Sequence, residues 1–248
     1  QETFQKYQQT PEYQKVNLGM SLEAFKGIFW WEYAHRLLGR TIGLIYLAPL
    51  LYFLLSRKLD RTRAWQLGAI FLLGGLQGAL GWYMVKSGLV DNPRVSQYRL
   101  TAHLGLAFVI YAAMLWVALG LLARRCVPPS GAARRLWRFS LVLTAIIFVM
   151  SLSGGLVAGI RAGLVYNTFP LMNGYWIPPQ LLLHEPWYSN FFDNAATVQF
   201  DHRLLAWLLA ALVPWFWWRS RAVPLTPWAR LACDVLPVVL LLQLALGV

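Results

Sequence analysis

Long apolar runs separated by short basic connectors set the pattern of this chain. A helix needs about 20 apolar residues to cross a bilayer core of roughly 30 Å. Six stretches reach that length, at 33–55, 65–85, 100–122, 139–160, 201–218 and 231–248, here segments A to F. The expected fold class is therefore all-α: a polytopic membrane helical bundle with six helices in this chain.

Composition strengthens that expectation. Hydrophobic residues make up 58% of the 248 and charged residues 13%, about half the usual charged share of soluble proteins. Thirteen Trp, thirteen Phe and eleven Tyr add an aromatic load that no water-soluble interior of this size would hide. The formal charge of +12 does not point to nucleic acid, because the 22 Lys and Arg fall in short connectors rather than along a phosphate-binding stripe. Two cysteines, Cys126 and Cys233, cannot build a disulfide framework or a zinc-ligand set.

The connectors also give an orientation. Connections 56–64, 123–138 and 219–230 carry four, five and three Lys or Arg, with Asp60 and the nearby Asp234 as their only acids. The positive-inside rule puts them in the cytoplasm or matrix and leaves 1–32, 86–99 and 161–200 outside. Segment A then enters from outside. With Gln1 as the first residue and F stopping at Val248 without an anchoring flank, the expectation is one further crossing before A and another after F. The outer stretch 161–200 is too long for a simple connector. It is rich in aromatics and Pro, which suits either a cover over a site or an interfacial belt.

The chain repeats itself. A shift of 167 residues lays Glu32-Tyr-Ala-His-Arg-Leu-Leu-Gly39 on Gln199-Phe-Asp-His-Arg-Leu-Leu-Ala206, and a shift of 166 lays Leu76-Gln-Gly-Ala-Leu-Gly81 on Leu242-Gln-Leu-Ala-Leu-Gly247. A and B thus match E and F in order, a common construction in membrane proteins. Two pseudo-symmetric four-helix halves follow, divided as 1–122 and 123–248 and together incomplete in this chain.

Three of the four histidines, His35, His103 and His202, sit within four residues of the outer start of a segment, and A, C and E all run inward. Their imidazoles are expected at one depth. Zinc would ask for further Cys or carboxylate ligands, and only Glu32 is near. A haem iron takes one axial ligand on each face, and its flat apolar ring suits the space between two helices. His35 and His103 are expected to form one pair. His202 would pair with a histidine at about position 270 by the repeat shift, beyond this chain. Arg36 and Arg203 directly follow their histidines and offer paired donors to haem propionates at the membrane edge; snorkelling to headgroups is the plainer alternative. Arg40 is a weaker candidate of the same kind. Gly39/Gly43, Gly74/Gly78 and Gly155/Gly159 suggest close helix packing, and His184 reads as an ordinary loop residue.

The two halves differ at one position. Glu32 shares a helix face with His35, and its aligned partner is Gln199, which cannot ionise. An acid in a membrane helix is expensive and usually functional. The difference suggests chemistry beside one haem and electron passage at the other. The bland reading is that Glu32 simply pairs with Arg36 one turn along.

Five motifs together resemble the heme A synthase family, in the type shared by Gram-negative bacteria and mitochondria: Ile28-Phe-Trp-Trp-Glu-Tyr-Ala-His-Arg36, Gly74-Gly-Leu-Gln-Gly-Ala-Leu-Gly-Trp82, Arg99-Leu-Thr-Ala-His-Leu104, Asn167-Thr-Phe-Pro-Leu-Met172 and Val198-Gln-Phe-Asp-His-Arg203. The likeness covers nearly the whole chain in order. It implies eight helices in two halves and oxidation of the C8 methyl of haem O to a formyl group, with oxygen from water, to make haem A for cytochrome oxidase. It makes His35 and His103 the histidines of the substrate half, Glu32 the essential acid beside them, and His202 a ligand of a haem b cofactor in the other half. It also implies haem O and a haem O synthase as partners, an electron-transfer partner of unidentified kind, and the bilayer; nucleic acid is excluded and a homo-oligomer is open. Short loops and an Arg- and Trp-rich composition favour the bacterial inner membrane over the mitochondrial one. The competing reading is a bis-histidine b-type cytochrome that leaves its haem unmodified; it does not explain why Glu32 faces Gln199. An inverted-repeat transporter fails because A and E run the same way.

Overall fold

The computed structural model describes residues 1–88, 95–122 and 131–247. Cys126, Arg124 and Arg125 lie outside the described residues. The chain forms two compact units, Gln1–Ala123 and Arg124–Val248.

The first unit opens with two short helices, α1 (Glu2–Gln8) and α2 (Pro11–Lys15), followed by three long ones: α3 (Leu22–Leu55), α4 (Arg61–Gly88) and α5 (Gln97–Leu122). Phe4, Tyr7 and Tyr13 cluster with Phe25 at the start of α3 and seat the short helices there. Helix α4 packs against both α3 and α5. Tyr46 Oη ties α3 to α4 by donating to the Leu67 carbonyl at 3.0 Å.

The second unit contains α6 (Gly131–Gly159), a short α7 (Asn190–Asp193), α8 (Ala195–Arg221) and α9 (Pro227–Gly247). Helix α8 is its axis. Leu209, Val213 and Phe216 on α8 meet Leu136 and Leu143 of α6 and Cys233 of α9 in one buried cluster. In lipid such a cluster is held by van der Waals packing rather than by escape from water. The carbonyls at the end of α8 are closed by Arg230, which donates to Ser220 at 3.0 Å and to Val223 at 2.8 Å.

Among the described residues, five helices are long and apolar enough to cross a membrane: α3, α4, α5, α6 and α9. They leave Leu44, Ile45, Leu72, Trp116 and Leu241 exposed, a surface that suits hydrocarbon. The chain is a multi-pass membrane protein. The sixth expected span, 201–218, is helical within α8 but falls outside this set. Its 27 residues span about 40 Å, yet Asp201, His202, Arg203 and four tryptophans lower its mean hydropathy. It is also the helix with the most buried residues, and its His202 and Arg203 bond to protein groups.

The helices begin earlier than the apolar runs suggested. Ser21 accepts from Ala24 N–H at 3.2 Å and starts α3 well before position 33, while Asn194 accepts from Ala196 and Thr197 N–H and starts α8 before position 201. His35 is therefore thirteen residues into its helix, His103 six and His202 seven. Hydropathy marks where lipid is expected; a cap marks where the helix starts. The close packing expected at Gly39/Gly43 and Gly74/Gly78 is also absent: a methyl group added at any of these four would meet no atom within 4 Å.

The outer stretch 161–200 is folded, not draped. Tyr166, Met172 and Ala196 form a small buried core with Leu181 and Phe200 against it. Asn190, fully buried, donates to the carbonyls of His184 and Trp187 and accepts from His184 N–H. Asn194 donates to the Gln180 carbonyl.

Candidate functional site

In the first unit, Glu32, His35 and Arg36 lie within one turn of α3, and all three are exposed. Arg36 Nη1 is 2.9 Å from Glu32 Oε1, an ion pair whose side chains remain 47% and 44% exposed. The plain pairing weighed above is thus present. It does not bury Glu32, which keeps an open side.

His103 on α5 is half-buried. Gln77 on α4 donates through Nε2 to the His103 carbonyl at 3.0 Å. One turn further along α4, Gly81 faces the imidazole: a methyl group there would stand 3.1 Å from Cε1. Among the described residues, His103 Nδ1, Gln77 Oε1 and Thr101 Oγ1 are buried without a hydrogen-bond partner. Each such atom costs about 1–3 kcal/mol. Unpartnered atoms on His103 and on the Gln77 that bonds its carbonyl, with Gly81 against the ring, fit a site completed by a ligand.

In the second unit, His202 on α8 is held differently. Its Nδ1 lies 2.6 Å from Ser153 Oγ on α6. The neighbouring Gly154 lies over the same ring, its would-be Cβ 3.4 Å from Cε1. With Nδ1 engaged, Nε2 is the nitrogen left for a metal. Arg203 donates to the carbonyls of Tyr166 at 2.9 Å, Thr168 at 2.8 Å and Leu171 at 3.3 Å. Arg203 also lines an apolar cavity of about 320 Å³ together with Phe169, Ala206, Trp207, Ala210, Leu244 and Ala245, where the Phe169 and Trp207 rings stack. A histidine with Nε2 available, and an apolar slot lined from the same helix, fit a flat apolar ring.

Gln199 turns out to be a clamp. Its Oε1 accepts from Tyr166 N–H at 3.2 Å and its Nε2 donates to the Tyr166 carbonyl at 2.8 Å. Among the described residues, no three His, Cys, Asp or Glu side chains gather as a metal cluster. Sequence reasoning placed Glu32, His35, Arg36, His103, His202 and Arg203 but missed Ser153, Gln77, Gly81, Gly154 and the clamp at Gln199. A hydroxyl or amide inside an apolar run is the only local sign of such a partner, and it does not say what the group touches.

The cytochrome oxidase assembly protein family matches residues 1–248. A heme A synthase of Nitrosospira multiformis is 66% identical over 248 residues, covering all of this chain and 70% of that protein. The heme A synthase of Nitrosomonas eutropha is 58% identical over 98% of this chain and 69% of its own length. That of Parvibaculum lavamentivorans is 48% identical over 94% and 67%. No solved structure matches. With a match along its whole length and relatives this similar, the chain belongs to the cytochrome oxidase assembly protein family.

Proposed function

We infer that this chain carries heme A synthase activity, oxidising the C8 methyl of haem O to a formyl group. The observation that carries the reading is the 66% identity to a heme A synthase over every residue of the chain. It favours the enzyme over a cytochrome that leaves its haem unmodified. The reaction takes its oxygen from water and releases electrons and protons.

In this reading His103 and His35 hold the iron of haem O. Glu32 lies on the His35 face of α3 with its partner Arg36 alongside. Its carboxylate accepts a proton from the attacking water or stabilises positive charge developing at the methyl carbon. Arg36 orients that carboxylate through their 2.9 Å contact. In the second half His202 would hold a haem b through Nε2, and Arg203, the next residue, is the candidate partner of its carboxylates. A bound haem b supplies one-electron transfer. The electron acceptor is a separate partner, a haem O synthase is the supplier of substrate, and the location is a bacterial inner membrane, in keeping with the bacterial relatives.

Haem extracts of membranes test the reading. Haem A is expected only when the full protein is expressed together with a source of haem O. Haem O and haem b passing through unchanged would overturn it.

A further inference from the structure

We infer that Ser153 is the positioning residue that sets His202 for iron, fixing its tautomer through a two-step hydrogen-bond relay into the backbone of α6. The inference rests on the reading of His202 as an axial ligand of the second-half haem.

A histidine that binds metal through Nε2 must carry its proton on Nδ1, and that proton needs an acceptor. Ser153 Oγ stands 2.6 Å from Nδ1. A hydroxyl has one proton to give and two lone pairs with which to accept. Ser153 has a place for its own proton, the Met150 carbonyl at 3.2 Å, one turn back on the same helix. With His202 bound to iron through Nε2, the relay runs in one direction: His202 Nδ1–H donates to Oγ, and Oγ–H donates to Met150. Every polar atom in it is satisfied, and Nε2 keeps its lone pair. Gly154 also lies against the ring, its would-be Cβ an ordinary 3.4 Å from Cε1, so the Nδ1–Cε1 edge faces α6.

Among the described residues, nothing equivalent holds the other half-buried imidazole. His103 Nδ1 is buried without a partner, although Thr101 Oγ1 and Gln77 Oε1 are also unengaged. A ring fixed by a relay suits a haem that stays; an unfixed ring suits one that must be captured, altered and released. Ser153 is on this account part of what makes the second half an electron carrier.

The test uses the full protein purified with its haem. In Ser153→Ala, haem b transfer to a competing apo-haemoprotein is expected to become easier by about tenfold or more, within the roughly 10–100-fold range over which outer partners of metal ligands act. The midpoint potential of the haem should move positive, because an imidazole that no longer donates through Nδ1 is a poorer electron donor to ferric iron. Ser153→Thr, which keeps the hydroxyl, should restore both. Parent-like retention and potential in Ser153→Ala would overturn the assignment, as would a Thr variant indistinguishable from Ala. His202→Ala separates the two levels: if it keeps haem b at parent stoichiometry, the ligand reading itself fails. If it loses haem b while Ser153→Ala matches the parent, only the role of Ser153 fails.

Discussion

The two units carry the same Arg-Leu-Leu helix turn after a histidine, yet they treat it in opposite ways. In α3 the turn is open: Glu32, His35 and Arg36 are all exposed, and the only bond among them is one ion pair. In α8 the aligned residues are enclosed. Gln199 and Arg203 are spent on the backbone of the outer segment, and His202 is locked to Ser153. Helix α8 buries eight residues where α3 buries Phe25 and Leu50. The duplicated helix is thus open around its histidine in one half and enclosed in the other. The change from Glu32 to Gln199 marks the division, because an amide can both donate to and accept from one peptide unit while a carboxylate can only accept.

The largest effect expected from breaking this comparison is at Glu32. Glu32→Gln should leave haem bound but lower conversion of haem O by about 100-fold or more, the scale of a lost acid–base group, read as haem A per protein in membrane extracts. Normal haem A yield would remove the distinction between the halves. Next is the reverse exchange. Gln199→Glu loses the donor to the Tyr166 carbonyl and sets a carboxylate against that oxygen, costing about 1–3 kcal/mol. The melt should fall and proteolysis within 161–193 should quicken, with no gain in haem A; an unchanged melt would show that the clamp contributes nothing.

Gly81→Ala and Gly154→Ala sharpen the comparison. A methyl group at 81 would stand 3.1 Å from His103 and must displace it, whereas at 154 it meets His202 at an ordinary 3.4 Å. The first should weaken haem O capture by about fivefold, roughly 1 kcal/mol, and the second should leave haem b spectra unchanged. Equal effects would mean that the two rings are equally free.

The smallest effect concerns the short helices ahead of α3. Burial, and then the negative charge of Glu32, push the Glu12 carboxyl above its usual range, while the bond to Tyr7 pulls it down less strongly. A carboxyl raised in the folded state favours the folded, protonated form. Seating of α1 and α2 is therefore strongest at acid pH and weakens as pH rises from about 4 upward. Hydrogen exchange over residues 2–15 should quicken across that interval, and Glu12→Gln should flatten the dependence.

The membrane class, the long helices and the internal repeat were legible in the sequence because each is a property of contiguous residues: apolar length, basic connectors, and a motif recurring at constant spacing. So were the positions of the chemistry-bearing side chains, since His and Arg stand out in an apolar helix. Their circumstances were not legible. Ser153 and His202 are 49 residues apart, and Tyr166 and Gln199 are 33 apart, so no local pattern announces either bond. Hydrogen bonding depends on which atoms meet across helices, and only the packing of α8 against α6 and the outer segment decides that. The chain's own order therefore determined what kind of molecule this is and where its histidines stand; the tertiary contacts decided which imidazole is fixed, and which acid-bearing turn was left open to react.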